Sequence, residues 1–198
     1  MALKTTAAAK TYLSIREGKV AKKDGEQWIL FNSLEGYLRE IGTRETKYGT
    51  ELLLTIEDDE LYQLSLRIKG DDPKMKQSNY FISFAHISPN IDVNQKIELI
   101  PSLKVEDDKK RSALYIKQNG SFLKWAFKKG QGMPEPESLT NKKGEVISVD
   151  WSEVETFRMD KVNELNARLK TVAPIAISTP IKGEESHIPF DEDNDLPF

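Results

Sequence analysis

The stretch from Leu34 to Ile68 constrains the fold more tightly than any other part of the chain. Residues 34–47 form one long strand-like run, with Gly36 and Gly42 as candidate bend points. Tyr48-Gly49 is a tight-turn signal, residues 51–57 (ELLLTIE) are the return strand, and Asp58-Asp59 makes a second turn. Residues 61–68 then alternate, placing Tyr62, Leu64, Leu66 and Ile68 on one side. Successive strand side chains point to opposite faces, so that pattern buries one face and wets the other. Three strands joined by short turns make a meander.

The flanking segments extend the β reading. Tyr12 to Glu17 alternates and reads as a strand that Val20 continues beyond Gly18, while Asp24-Gly25 is a turn and residues 28–31 (WILF) are a short apolar strand. Asp71-Asp72-Pro73 offers an acidic cap and a first-turn proline, predicting a helix to about His86 that carries Met75, Tyr80, Phe81 and Phe84. Ser88-Pro89-Asn90 stops it. Strands resume at 95–101 and 112–118, Asn119-Gly120 is a hairpin signal, and residues 122–128 read as a further strand. Three strands, a helix, then two or more strands is the order of an OB-type barrel. The expected fold is therefore mainly β: an OB-like five-stranded barrel with extra strands, one inter-strand helix and a C-terminal helix.

Residues 130–144 read as a Gly/Pro/polar linker. Ser152 with Glu155 fits a capping box, and Val154, Phe157, Val162, Leu165 and Leu169 recur at near-helical spacing until Pro174. The expected organisation is a folded unit over residues 1–172, including that helix, and an acidic tail over 173–198.

Composition excludes several chemistries. There is no cysteine, so disulfides and thiolate chemistry are ruled out, and the two histidines, His86 and His187, have no ligand spacing. Asp58-Asp59-Glu60 sits between alternating strands and reads as a solvated turn. No phosphate-cradling glycine loop or serine elbow is present, so no enzyme, cofactor or metal is expected. No signal-like or membrane-length apolar run is found, which predicts a cytoplasmic protein with no membrane partner. Residues 183–198 hold six acidic side chains and no Lys or Arg, so residues 1–182 carry +3 within a chain of net charge −3. The acidic end hides a mildly basic body.

That basic character concentrates between residues 109 and 129. Seven cations (Lys109, Lys110, Arg111, Lys117, Lys124, Lys128, Lys129) and four aromatics (Tyr115, Phe122, Trp125, Phe127) occur there with no acidic residue. Cations that track phosphates, interleaved with rings that stack on unpaired bases, are what a single nucleic-acid strand needs. A second patch is predicted from Tyr37 and Arg39 on one strand face, continuing through Arg44, Lys47 and Tyr48 into the turn. Arg67 points opposite to Leu66 and Ile68 and joins it. Trp28 and Phe31 serve equally well as barrel plugs or as base-stacking rings.

The chain ends on Asp191, Glu192, Asp193, Asp195, Leu196, Pro197 and Phe198. An acidic run that cannot bury itself, closed by an apolar hook beside the α-carboxylate, suits a basic-rimmed pocket on another protein. This ending resembles the C-terminal tip of bacterial and phage single-stranded-DNA-binding proteins. The long Gly/Gln/Pro-rich linker usual in the bacterial branch is missing, so the phage type is the closer comparison and the oligomeric state stays open. The resemblance implies an OB-fold that coats single-stranded DNA without sequence specificity, with a tip that recruits replication, recombination and repair proteins. An OB-fold protein-interaction adaptor and a single-stranded-RNA-binding module are the alternatives.

Overall fold

The computed structural model describes residues 9–70, 77–106, 109–128, 130–141, 143 and 145–171. Its strands are β1 (Lys10–Arg16), β2 (Lys19–Asp24), β3 (Gln27–Phe31), β4 (Leu34–Thr46), β5 (Gly49–Glu57), β6 (Leu61–Lys69), β7 (Ile97–Glu106), β8 (Lys109–Gln118), β9 (Ser121–Phe122), β10 (Glu137–Thr140) and β11 (Val146–Asp150). Helix α1 (Asn79–Ile87) lies between β6 and β7, and α2 (Ser152–Thr171) follows β11. The protein is mainly β with two helices, and the first nine strands form one sheet in the order β3-β2-β1-β6-β5-β4-β7-β8-β9.

The β4–β5–β6 meander is antiparallel throughout, and Leu52, Leu54, Ile56, Leu64 and Leu66 from it are fully buried. Apolar alternation decides this register, because a one-residue slip would turn that whole set to solvent. At Gly36 (φ +155) β4 changes partner, pairing with β7 up to that residue and with β5 from Tyr37 on, and a bulge follows. Leu38 pairs with Ile56 and Glu40 with Thr55, which leaves Arg39 as a bulge residue. The turn after β4 is Lys47-Tyr48, and Gly49 (φ +110) closes it where a Cβ would come within 2.2 Å of the Lys69 carbonyl oxygen. Only glycine fits there.

The sheet is open, which corrects the closed five-stranded barrel expected from element order. β7 pairs with β4 and β8 with β7, as a barrel requires, but β6 pairs in parallel with β1 (Lys10↔Leu61 to Leu13↔Leu64) and not with β8. Helix α1 sits across the gap. Ser78 caps it by accepting from the Phe81 amide and donates its hydroxyl to the Arg67 carbonyl, while Asn79 Nδ2 donates to Ser112 Oγ at 3.3 Å. Phe81, Phe84, Ala85 and Ile87 fill the space beneath. The helix therefore starts at Asn79, later than the Asp71-Asp72-Pro73 signal, and residues 71–76, Met75 among them, lie outside the described residues.

Other boundaries shift for local reasons. Glu17 and Gly18 both take positive φ (51° and 73°), forming a two-residue turn, so β1 and β2 are a hairpin and not one continued strand. A Cβ on Gly18 would lie 2.4 Å from the Leu103 amide nitrogen of β7, so this turn is held against a strand in the other half of the sheet. Asn119-Gly120 makes the same kind of turn between β8 and β9. β9 ends at Phe122 instead of reaching residue 128, because the chain turns in to give the Leu123 amide to Ile116 and the Ala126 amide to the His86 carbonyl. The linker expected over 130–144 contains β10, and β10–β11 forms a separate two-stranded sheet.

Helix α2 belongs to the core. Val154, Arg158, Val162, Leu165 and Leu169 are its buried face; Arg158 takes the place expected for Phe157, whose ring stays partly exposed. Arg168 donates to the carbonyls of Ser88 (2.7 Å) and Ile91 (2.9 Å), and the Ile41 amide donates to Asn166 Oδ1 at 3.3 Å. The capping box does not form. Asp150 accepts from the Ser152 amide and hydroxyl, and Glu155 pairs with Lys69 at 3.0 Å. Among the described residues no helix is long and apolar enough to cross a membrane.

Candidate nucleic-acid interface

Strand β8 has two unlike faces. Leu114 and Ile116 point into the core, so Lys109, Arg111, Ala113, Tyr115 and Lys117 project outward along ~27 Å of strand. Tyr115 and Phe122 meet edge-to-face at 5.9 Å between centroids and remain 45% and 59% exposed, which leaves ring faces available for stacking. Phe122 lies opposite Lys117, whose ammonium stands 4.9 Å from the ring centre. On the neighbouring strand Lys104 lies opposite Arg111 and Glu106 opposite Lys109, so the outer end of the β7–β8 hairpin carries several cations beside a carboxylate.

Tyr37 joins the other end of this face. A cleft of about 540 Å³ is lined by Tyr37, Lys96, Glu98, Lys117 and Asn119, among others. Arg39 and Lys96 approach the Tyr37 ring at 4.8 and 5.7 Å. Each of these cations already has a carboxylate partner. Lys117 pairs with Glu98 at 3.4 Å, Lys96 with Asp58 at 2.6 Å, and Arg39 with Glu57. A phosphate in the cleft must displace a carboxylate or share its cation. No such pair joins Lys104, Lys109, Lys110 or Arg111 to a carboxylate among the described residues. Lys96 was missed in the sequence because it is an isolated cation, and only tertiary folding brings it to Tyr37.

The remaining predicted residues divide into two other places. Arg44 pairs with Glu51 at 2.7 Å, and Arg67 lies opposite Glu51 on β6, so those two arginines flank one carboxylate. Tyr48 and Lys47 sit in the adjoining turn, with Tyr48 60% exposed and the Lys47 ammonium 4.9 Å from its ring. Arg44 is seven residues from Tyr37 along β4, roughly 23 Å, so the second patch is split between the two ends of one strand.

Trp125 and Phe127 go to the helices. Trp125 packs edge-on against His86 at 4.9 Å while staying 48% exposed, and Phe127 packs against Phe157 of α2 at 4.9 Å with Lys161 nearby. Lys124 is exposed and its carbonyl accepts from Asn90 Nδ2, while Lys128 bridges to Gln131; Lys129 lies outside the described residues. Trp28 and Phe31 neither plug the core nor join the β8 face. They stand exposed on the edge strand β3, with Arg16 3.9 Å above the Trp28 ring. The whole tip, Asp191 to Phe198, also lies outside the described residues.

His86 is buried under Trp125, where its Nε2 accepts from Arg158 Nε at 3.2 Å while Arg158 also donates to Gln77. Burial, then the Arg158 guanidinium, pulls its pKa down to about 4. Between about pH 6.5 and pH 4 the unfolded chain binds a proton that the folded site refuses, so stability falls as pH drops through that window. Thermal melts from pH 7 to 4 are expected to show this slope, and His86→Gln to flatten it. An identical slope in the variant removes His86 as the cause.

Comparison with protein-family models, with curated proteins and with solved structures returns no match to this chain.

Proposed function

We propose that this chain is a phage-type single-stranded-DNA-binding protein that coats the strand without sequence preference and recruits partner enzymes through its C-terminal tip. The observation that supports the reading best is the outward face of β8: exposed Tyr115 and Phe122 in contact with each other, Lys117 beside Phe122, and Lys109 and Arg111 further along the same face. Rings of this kind accept any base, and cations track the backbone. The meander, the helix and the β7–β8 hairpin follow the element order of an OB-type fold, whose strand faces and loops hold single strands. In this reading α1 stands in the seam that barrel closure would occupy. The tip, acidic with a terminal Phe198, supplies the docking segment for replication, recombination and repair proteins.

Anisotropy titration of labelled oligo(dT), oligo(U) and duplex DNA tests the assignment. Oligo(dT) is expected to bind best, and neutralising about four phosphates gives a log–log salt slope near roughly −3. Removing residues 191–198 is expected to preserve or tighten that binding. A preference for oligo(U) replaces the assignment with an RNA-binding module. Silence toward all three ligands leaves a protein-binding adaptor.

A further inference from the structure

Two apolar surfaces remain that strand binding does not use. The first is β3, at the end of the nine-stranded sheet, where Trp28, Ile29, Leu30 and Phe31 are each 37–44% exposed. Because side chains alternate, both faces of this edge strand are apolar. The second is the β10–β11 hairpin, with Leu139, Val146, Ile147 and Val149 exposed at 41–66%. A two-stranded hairpin is marginal in water unless another strand or layer covers it. An unpaired apolar edge is in turn a template for association.

Charge selects the occupant. Behind β3, strand β2 carries Lys19, Lys22, Lys23 and Asp24, Arg16 stands over Trp28, and Glu17 and Glu26 lie in the flanking turns, so four cations face three carboxylates and the net charge is +1. The hairpin carries Glu137, Glu145 and Asp150, with Glu135 and Glu153 flanking it in sequence and Lys143 in its turn, so carboxylates outnumber cations. Edge against edge sets the two lysine-bearing strands on either side of one interface, and hairpin against hairpin sets acid against acid. Only the mixed pairing sets a basic surround against an acidic one, as complementary interfaces do.

We propose that β3 of one copy of this chain docks on the β10–β11 hairpin of the next. The contact is heterologous, so each assembly retains one free β3 at one end and one free hairpin at the other, and growth runs head to tail. It needs no nucleic acid and stands apart from the strand-binding reading.

Sedimentation velocity of the full chain without DNA tests it across a concentration series at low and high salt. The unmodified chain is expected to show open-ended association that grows with concentration and weakens in high salt. Ile29→Glu alone and Ile147→Glu alone are each expected to be monomeric, with unchanged melting temperatures. Mixed together they are expected to form a dimer that grows no further, because one intact edge meets one intact hairpin. A chain that is monomeric at every concentration overturns the proposal, as does an Ile147→Glu variant that still dimerises by itself. Ile29 and Ile147 are both exposed, so loss of association with unchanged melting reads the contact and not the fold.

Discussion

Replacing Tyr115 and Phe122 together with alanine is expected to weaken oligo(dT) binding by at least about 1–3 kcal/mol, roughly 5–150-fold in Kd. Stacking on exposed rings contributes on that scale per base. The two rings touch, so their losses do not simply add. Both are about half exposed on the outer face of β8 and β9, so folding stability is expected to move by less than about 0.5 kcal/mol. That separation makes the result readable: affinity falls and the melting temperature holds. Binding unchanged in the double variant removes this face from the interface. Trp125→Ala is the informative contrast, because its ring lies against His86 at the helical side. Loss of melting temperature there, with affinity retained, assigns Trp125 to packing.

Leu165→Ala is expected to destabilise the fold by about 2–5 kcal/mol, the range for truncating a fully buried leucine. A domain of this kind holds only about 5–15 kcal/mol in total. Leu165 is fully buried in the same cluster as Phe81, Phe84, Leu99 and Leu114. The adjoining polar contacts, Arg168 to two carbonyls and Asn166 to the Ile41 amide, hold α2 in place and leave no simple way for the cavity to collapse. Denaturant unfolding measures the loss. A change below about 0.5 kcal/mol, the scale of a surface substitution, would mean that α2 is an appendage and not a wall of the core.

The legible parts of the sequence are those where the signal is local and periodic. Tyr62, Leu64, Leu66 and Ile68 announce β6, and Asn119-Gly120 announces the β8–β9 turn. Illegible parts are decided by distant partners. Asp71-Asp72-Pro73 looks like a helix start, yet α1 begins at Asn79, where Ser78 can reach the Arg67 carbonyl and the Phe81 amide. Residues 137–150 were hidden among Gly, Pro and polar neighbours, and their hairpin is closed by Asn141, whose side chain accepts from the Lys143 and Glu145 amides. For the candidate site, the pairing of cations with aromatics between 109 and 129 was visible, but its division was not. Tyr115, Lys117 and Phe122 stay on the strand face, while Trp125 and Phe127 turn toward His86 and Phe157.

The sequence by itself determined a mainly β chain built on a three-stranded meander, because alternation and turn chemistry act within a few residues and need no distant partner. It also determined where cations gather and that the chain ends on an acidic, phenylalanine-tipped run. Tertiary structure alone decided that β6 pairs with β1 and leaves the sheet open, that α1 fills the resulting seam, and that Lys96 joins Tyr37 and Lys117 at one cleft. Strand pairing across fifty residues and ion pairs such as Lys96–Asp58 follow from the competition of every segment for the same core and the same partners. No local pattern records the outcome of that competition.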